Sequence, residues 1–422
     1  MVPTRILHSF VIASFASLTF VSLVNAQVQA PAAPEIPAKN QMLDQPKGQV
    51  QIETPLAAPT PAPAAAMAAE PAKNETWLNR FTWGGDMRFR LQKETGSAGN
   101  NDRARIRARL RASAKVNEQI SSTVRLTTGG VGGAGSNYTT NSNLGGVNSK
   151  LQFDLDLAFI DYHPVTGLQI LLGKSPTQFW APGTSEIAWG FPWSQEGLNM
   201  KYVTDLGNFK PTLVAAFTNF YESGGAEQGR DNTMLGIQAI APYRSADWNA
   251  TLAFGSYDYA NLKGTAISKL GYAATALSAD GNTLAGAGTA AATLANDYRL
   301  LDVGAEIGYN LSFAPISIYY NYVMNQAVSE GNKGQIAGVK LGALKDQGSW
   351  MAEYNYRDVE ADAAIGMVGE TQYLNGGTNV QGHLVRLGYQ GWKSSALGIE
   401  FDSGIRQGRQ GELYMLDWVT VF

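Results

Sequence analysis

The chain has 422 residues, of which only 16% are charged and 10% are aromatic, and it contains 46 glycines. That composition is unusual for a soluble domain of this size, and the formal net charge of −3 argues against a general nucleic-acid-binding protein. The absence of cysteine excludes disulfides, thiolate metal sites, cysteine nucleophiles and a lipidated N-terminal cysteine. With only three histidines, a metal site is not expected, and no other feature indicates a cofactor.

Residues 1–26 have the pattern of a secretory signal peptide. Arg5 supplies a positive charge, residues 10–24 are apolar, and Val24, Asn25 and Ala26 fit a cleavage site before Gln27. An uncleaved membrane anchor is the alternative, but the apolar stretch is short. After Leu23 no apolar run approaches the roughly 20 residues of a spanning helix, so a membrane location would require a closed barrel.

Residues 27–76 have a different composition. Nine of the 17 prolines lie here, between Pro31 and Pro71, among many alanines. Such a segment has too few large apolar side chains to form a packed core and favours extended, disordered conformations. We therefore predict a periplasmic linker, with a contact to the cell wall as a less favoured role.

Basic and apolar residues alternate strictly between Asp102 and Val116. Side chains alternate across a β-strand, whereas a helix would spread these arginines around its circumference. The pattern predicts a strand with one apolar face and one cationic face. The arginines on the cationic face are Arg103, Arg105, Arg107, Arg109 and Arg111.

The same alternation recurs to the end of the chain and predicts about sixteen strands. The segment 151–162, for example, sets Asp154 and Asp156 against Phe153, Leu155 and Leu157. Connections after even-numbered strands are short and those after odd-numbered strands are mostly longer, as in outer-membrane barrels. The predicted strands are 82–91, 102–116, 120–129, 151–162, 168–173, 198–203, 212–220, 233–241, 248–257, 301–309, 316–322, 337–342, 349–357, 383–390, 397–403 and 413–422.

Proline placement supports this interpretation, because all prolines after Trp77 fall in predicted loops or at strand ends. A soluble sandwich is the rival architecture, but its apolar faces would need a second sheet to cover them and protected edges. Every predicted strand has one apolar face and one polar or glycine-rich face. The sequence therefore predicts an all-β fold, a transmembrane antiparallel barrel over residues 77–422.

Four blocks resemble Gram-negative outer-membrane porins. They are the signal peptide, RARIRARLRASAKVNEQISSTVRLTTG at 103–129, LGKSPTQFWAPG with EGLNMKY at 172–183 and 196–202, and the terminal YMLDWVTVF. The chain is most similar to the "putative porin" family with an arginine-rich second strand. The resemblance implies outer-membrane localisation, a trimer, a third external loop folded into the lumen, and recognition of Phe422 by the assembly machinery. The proline-rich linker departs from simple porins.

Strand parity predicts which charged residues line the lumen. The second and tenth strands of a sixteen-stranded barrel lie opposite each other, so an arginine ladder would face acids across the pore. A row of charges in a pore sets ion preference. The alternative, weighed equally, is that the ladder anchors the third loop. The basic residues are the five arginines above with Arg88, Arg90 and Arg125. The acids expected on the opposite wall are Asp302 and Glu306, Asp154 and Asp156 are expected beside the arginines, and Glu186 of the third loop is expected to reach towards them.

Two further sets of residues belong to the predicted lumen. Aromatic residues of the third loop either stack on apolar or sugar-like solutes or, more commonly, pack the loop against the wall. They are Phe179, Trp180, Trp189, Phe191 and Trp193. Lumen-facing glycines either make room for the inserted loop or permit bends in the wall. They are Gly173, Gly236, Gly255, Gly304, Gly308, Gly338, Gly388 and Gly398.

The predicted function is a water-filled channel for passive diffusion of ions and small hydrophilic solutes across the outer membrane.

The outward residues of the second strand are small, among them Ala104, Ala108 and Ala112, and small side chains permit close contact between subunits. Two alternatives are a barrel hydrolase and an adhesin or structural anchor. His163 and His383 lack an obvious serine and aspartate partner pattern, so no catalytic residue is assigned, although an acid-only protease stays open.

Overall fold

A computed structural model describes residues 77–97, 99–129, 139–147, 150–223, 231–369 and 371–422. The predicted signal peptide (1–26) and linker (27–76) lie outside the described residues. Within the described ranges, no helix has both the length and the apolar character needed to cross a bilayer.

Sixteen long strands and the two-residue strand Ser142–Asn143 form one antiparallel sheet of seventeen. The long strands are β1 (Phe81–Gly96), β2 (Asn101–Lys115), β3 (Ile120–Thr128), β4 (Phe153–Tyr162), β5 (Leu168–Pro176), β6 (Ser194–Val203), β7 (Thr212–Tyr221), β8 (Asn232–Arg244), β9 (Trp248–Ala260), β10 (Tyr298–Asn310), β11 (Pro315–Asn325), β12 (Lys333–Gly342), β13 (Trp350–Val359), β14 (Val380–Trp392), β15 (Ser395–Arg406) and β16 (Arg409–Val421).

Each long strand pairs with its neighbour in chain order, and β1 also pairs with β16. The closing register sets Asp86 opposite Val421 and Gly96 opposite Gly411. Closure leaves no free sheet edge, which is the condition for a sheet to cross a bilayer. The predicted antiparallel barrel of about sixteen strands is confirmed.

The connections differ between the two ends of the barrel. Those after even-numbered strands contain between two residues (393–394) and eight residues (204–211), and we call this end the turn rim. At the other end, the loop rim, the long connection after β3 (129–152) is described only in part, and three further long connections follow β5, β9 and β13. We call them the third loop (177–193), the fifth loop (261–297) and the seventh loop (360–379).

The distribution of side chains is inverted relative to a soluble protein. The outward residues of β1 include Trp83 and Phe89, which are 63% and 44% exposed, whereas the inward Arg88 is 2% exposed. An apolar outer face and a polar interior are what a barrel in lipid requires. The buried apolar cluster therefore lies inside the barrel, where the long loops pack; Trp189, Leu262 and Tyr373 belong to it.

One parity prediction on β4 is wrong. Leu157 was expected on the outer face with Leu155, but it is buried. The cause is a shift in the β3–β4 register, where Arg125 pairs with Leu157 and the next residue, Leu126, pairs with Leu155. A bulge of this kind adds one residue to a strand and exchanges the faces beyond it.

Candidate functional site

Eight arginines on β1, β2 and β3 form a patch on the inner face that we call the arginine wall. They are Arg88, Arg90, Arg103, Arg105, Arg107, Arg109, Arg111 and Arg125. The β1–β2 register sets Arg105 directly opposite Arg90 and Arg107 directly opposite Arg88. Like charges at directly opposed positions destabilise a sheet, so the wall needs anions or acceptors close by.

Asp417 of β16 supplies one of these acceptors. It accepts two hydrogen bonds of 2.6 Å from Nε and Nη2 of Arg90, and one of its oxygens lies 3.9 Å from Arg88 Nη1. A bidentate arginine–carboxylate pair is among the strongest hydrogen-bonded contacts in proteins. The pair depends on barrel closure, because Asp417 reaches the arginine wall only through the pairing of β16 with β1.

Asp86 of β1 supplies a second acceptor and bridges two arginines of β2. It accepts from Arg107 Nε at 2.9 Å and from Arg109 Nε at 2.6 Å. Glu94 pairs with Arg103 at the loop-rim end of the same strand. Within the described ranges, the carboxylates that pair with the arginine wall thus lie on strands of the barrel rather than on the third loop.

Asp156 of β4 is the remaining partner and lies 2.5 Å from Arg125 Nε, while it also accepts from Ser194 at 3.2 Å. Asp154, on the same strand, accepts from Gln152 at 2.8 Å. The two acids predicted beside the arginine wall are therefore next to it. One of them pairs with it directly.

Uncharged side-chain oxygens of loop residues also accept hydrogen bonds from the arginine wall. Arg88 donates to Asn141 at 2.6 Å, and the seventh loop contributes Gln372, which accepts from Arg90 at 2.8 Å, and Asn375, which accepts from Arg103 at 2.9 Å. Sequence reasoning missed the seventh loop. Its length was the one signal that could have drawn attention to it.

Burial separates the arginines into two groups. Arg88, Arg90 and Arg107 are buried beneath their partners. The others retain solvent-exposed surface, and Arg111, near the turn rim, is the most open. The second group therefore has side-chain surface open to solvent, and the first group does not.

The third loop lies against the opposite inner face, along β8, β10, β11 and β13. Gln238 brackets Trp180, accepting from its backbone N–H and donating to its carbonyl oxygen, both at 2.7 Å. Glu306 accepts from the backbone N–H of Gly183 at 2.9 Å. Ser185 donates to Asn321 at 2.5 Å. These bonds fix the loop backbone at several points along the wall.

Glu353 of β13 forms a buried, charged anchor of the third loop. It accepts hydrogen bonds from Tyr319 Oη at 2.6 Å and from Thr184 Oγ1 at 2.5 Å, and it lies 3.5 Å from Arg386. Arg386 also pairs with Glu400. A buried charge is stable only when paired and hydrogen-bonded. Both hydrogen bonds to Glu353 go to Oε1, and its Oε2 faces Arg386 without a hydrogen bond.

The acids predicted on this side accept hydrogen bonds from protein groups instead of facing the solvent of the lumen. Asp302 is 3% exposed and accepts from Asn321 at 2.6 Å and from Tyr257 at 3.2 Å. Glu306 holds the third loop, as described above. Glu186, which was predicted to reach towards the arginine wall, is buried and accepts from the backbone N–H of Phe191 at 2.7 Å.

The aromatic residues of the third loop fall into a buried group and a partly exposed group. Phe179, Trp189 and Trp193 are buried, and the ring of Phe179 meets that of Tyr257 edge-on at 4.8 Å. These three pack the loop against the wall. Trp180 and Phe191 are partly exposed and are the two members with surface available to a solute.

Glycines of the opposite wall make room for the third loop. A Cβ atom on Gly304 would lie 2.9 Å from Pro182, and one on Gly236 would lie 2.5 Å from Phe179. At these two positions the geometry fits the first of the two roles considered for the glycines, which is to make room for the loop. Gly334 has the same role against Ile187, at 2.9 Å, and was missed. Gly338 instead accommodates the ring of Tyr319.

The three long loops form one interlocked group. Asn282 of the fifth loop donates to the carbonyl oxygens of Ala361 and Ala364 in the seventh, both at 2.7 Å. The backbone N–H of Gly190 in the third loop donates to Val368 in the seventh at 2.5 Å.

Burial raises the pKa of Asp280 in the fifth loop. A 2.9 Å hydrogen bond from Tyr272 and the charge of Arg406 act in the opposite direction and lower this pKa.

Neither histidine weighed for catalysis has a triad geometry. His163 lies 3.0 Å from Asp161 beside a turn, and His383 shares a 2.9 Å hydrogen bond with Tyr354 Oη. Within the described ranges, no group of three or more histidine, aspartate or glutamate side chains could hold a metal ion.

Comparison with known sequences identifies the family. The sequence profile of the family described as "Putative porin" matches residues 95–287 and 276–403, which is more than half of the chain. The chain belongs to this family. It is an outer-membrane porin. No curated protein matches the chain.

Solved structures similar to this porin include the following three. A loop L8 deletion mutant of OmpT, an outer membrane protein of Vibrio cholerae, has a TM-score of 0.49 and 12% identity, covering 81% of this chain and 99% of that one. Salmonella typhi OmpF in complex with daunomycin has a TM-score of 0.49 and 12% identity, covering 81% and 97%. A triple mutant of Rhodopseudomonas blastica porin has a TM-score of 0.47 and 10% identity, covering 81% and 100%.

Proposed function

We propose that this porin forms a water-filled channel for passive diffusion of ions and small hydrophilic solutes, with its constriction between the arginine wall and the third loop. The observation that carries the proposal is the contrast between the two inner faces. Arginines with solvent-exposed surface line one face, and a loop fixed by hydrogen bonds to Gln238, Glu306 and Glu353 covers the other.

The arginine wall favours anions in this proposal. Arginines at alternate positions of a strand are ~6.6–6.8 Å apart, within the ~8–10 Å Debye length at ordinary salt. Their fields therefore add in the lumen. Asp302 and Glu306 supply negative charge behind the third loop, so that a field acts across the constriction. Charged rows of this kind set ion preference.

The third loop limits the size of the solute. Its buried aromatics pack the loop on the wall, and its backbone is bonded to wall side chains, so the loop keeps a fixed shape. Trp180 and Phe191 supply the apolar part of the surface that a passing solute would touch. The polar part comes from the exposed arginines across the lumen.

Three subunits associate through the outer face of β2 in this proposal. Ala104, Ala108 and Ala112 leave this face shallow, and small side chains let two surfaces approach closely. An Ala108→Cys variant should give disulfide-linked or chemically cross-linked oligomers between adjacent subunits. Exclusively monomeric product would contradict this interface.

The remaining parts of the chain fit delivery to the outer membrane. Residues 1–26 act as the signal peptide, residues 27–76 as a periplasmic linker and residues 77–422 as the barrel. Phe422 pairs with Gly85 through two backbone hydrogen bonds of 2.8 and 3.0 Å at the turn rim. The proposal places this rim in the periplasm, where assembly factors meet the C-terminal strand.

The test is the reversal potential of single channels in a potassium chloride gradient. Replacing Arg105, Arg107 and Arg109 together by glutamine should shift the reversal potential towards cation preference. Lys210→Gln at a turn away from the lumen is the control and should leave it unchanged. An unchanged reversal potential in the arginine variant would contradict the selectivity role, and a purified barrel that conducts no ions would contradict the channel.

A further inference from the structure

Arg105 lacks the carboxylate partner that Arg103, Arg107 and Arg109 have on the same strand. Among the described residues of β2 it shares this with Arg111, which is exposed near the turn rim, whereas Arg105 is only partly exposed. Arg103 pairs with Glu94, and Arg107 and Arg109 share Asp86. Across the described ranges, Arg105 has no carboxylate within ion-pair distance. Its one side-chain hydrogen bond runs from Nη1 to Gln92 Oε1 and is long, at 3.3 Å. The charge of Arg105, the second of the five arginines of β2, therefore has no carboxylate paired with it.

The surroundings of Arg105 make this charge costly. It is directly opposite Arg90 in the β1–β2 register and pairs on the other side with Asn143. The carboxylate that lies across the register, Asp417, is already bonded through both oxygens to Arg90. A partly buried charge without a partner costs free energy, and an anion from the lumen would offset that cost.

We infer that Arg105 is a binding point for a small oxyanion, the carboxylate or phosphate group of a solute that passes through the channel. This inference rests on the proposed channel function and adds the class of ligand. The guanidinium group presents planar, divergent N–H donors that match the oxygens of such groups better than a spherical ion. Arg105 is partly exposed, so a solute in the lumen reaches it.

The same geometry explains why binding at this point would be reversible. The Nε atom of Arg105 is occluded and makes no hydrogen bond with the protein. The solute therefore meets the outer part of the guanidinium alone. Conduction requires binding that is favourable enough to admit a solute but weak enough to release it. A single exposed edge of one arginine meets both conditions better than a closed pocket.

The test compares Arg105→Gln with Arg103→Gln, two variants on the same strand that remove one positive charge each. Purified channels in a planar bilayer carry a chloride current, and acetate or inorganic phosphate is added in increasing concentration. Both oxyanions should reduce the chloride current of the wild-type channel. Arg105→Gln should weaken the apparent affinity on the order of tenfold, as loss of a charged hydrogen bond does, whereas Arg103→Gln should change it little.

Three results would overturn the inference without touching the proposed channel. They are an equal loss of affinity in both variants, a loss confined to Arg103→Gln, and chloride currents in the wild-type channel that neither oxyanion reduces. Reduction by one oxyanion alone supports the site and assigns its class. Failure of the proposed function is distinct, because the wild-type protein would then carry no current. Circular dichroism and heat-dependent gel mobility of each variant establish that the barrel has folded.

Discussion

The arginine wall and the opposite wall use polar residues in different ways. On the arginine side, Asp86 of β1 and Asp417 of β16 bind arginines of the wall itself, and several arginines keep exposed surface. On β8, β10 and β13, the polar groups Gln238, Glu306 and Glu353 bind a loop. One inner face therefore presents charge to the lumen, and the other presents a fixed surface.

This difference separates two properties of a channel. Ion preference depends on charge that the solute can approach, and conductance depends on the open cross-section. If each property belongs to one wall, a substitution on either side should alter one property more than the other. The following variants test that separation, from the largest expected effect to the smallest.

Glu353→Ala should have the largest effect. It removes the acceptor of Tyr319 and Thr184 and leaves Arg386 with one fewer acidic neighbour. Breaking a buried charge pair costs about 3–5 kcal/mol, and we expect release of the third loop with a higher single-channel conductance. Urea unfolding and conductance measure the two effects. Glu412→Ala, near the loop rim and bonded to Tyr414, is the control; an equal effect there would contradict the anchor.

Asp417→Asn should have a smaller effect, on the arginine wall. Asparagine keeps one acceptor for Arg90 but loses the charge and the bidentate pair. We expect a loss of about 1.5–3 kcal/mol in the free energy of unfolding, a stronger preference for anions and an unchanged conductance. Equilibrium unfolding and the reversal potential report these changes. A shift towards cations would show that the wall does not act through its net positive charge.

Gly304→Val should perturb the opposite wall by overpacking. A Cβ atom at this position would lie 2.9 Å from Pro182 and 3.1 Å from Trp180. Inserting methyl groups into a packed region costs about 1–3 kcal/mol, and the third loop must move towards the lumen. Lower conductance with an unchanged reversal potential is the expected result. Unchanged conductance would contradict the close fit of loop and wall.

Asp280→Asn should have the smallest effect, limited to the loop rim. Burial raises the pKa of Asp280 in the folded loops, so these loops bind its proton more tightly than the unfolded chain does. Their stability should therefore increase as pH falls through this raised pKa and decrease again as pH rises. Hydrogen exchange of the fifth loop at mildly acidic and neutral pH measures this difference. Asparagine tolerates the positive φ of 47° found here and should abolish the pH dependence; persistence of that dependence would assign it to another group.

Alternation along the sequence was enough to predict the strands and the face of most side chains. The period of two is a local property, so the arginines of β2 could be assigned to the inner face from residues 102–116 alone. The prediction was wrong at Leu157 because a bulge interrupts the period, and a bulge depends on the partner strand as well as on the sequence. Alternation does not reveal such an interruption.

The partners of the arginines could not be predicted, because they depend on closure. Asp417 lies 327 positions from Arg90 in the chain, and only the β1–β16 pairing brings them together. Asp86 was within reach of sequence reasoning, since it has the same parity as Arg88 on the same strand. The contacts of the long loops have no periodic signal, so the contact between Gly190 and Val368 appears only in the folded structure.

The most direct test of separate roles for the two walls is to record conductance and reversal potential on the same single channels. One variant carries glutamine at positions 105, 107 and 109. In the other, residues 178–192 are replaced by an Asn-Gly dipeptide, which the pairing of Pro176 with Ser194 makes geometrically simple. We predict a changed reversal potential with little change in conductance for the first, and increased conductance with retained anion preference for the second. Both properties changing together in both variants would contradict the separation.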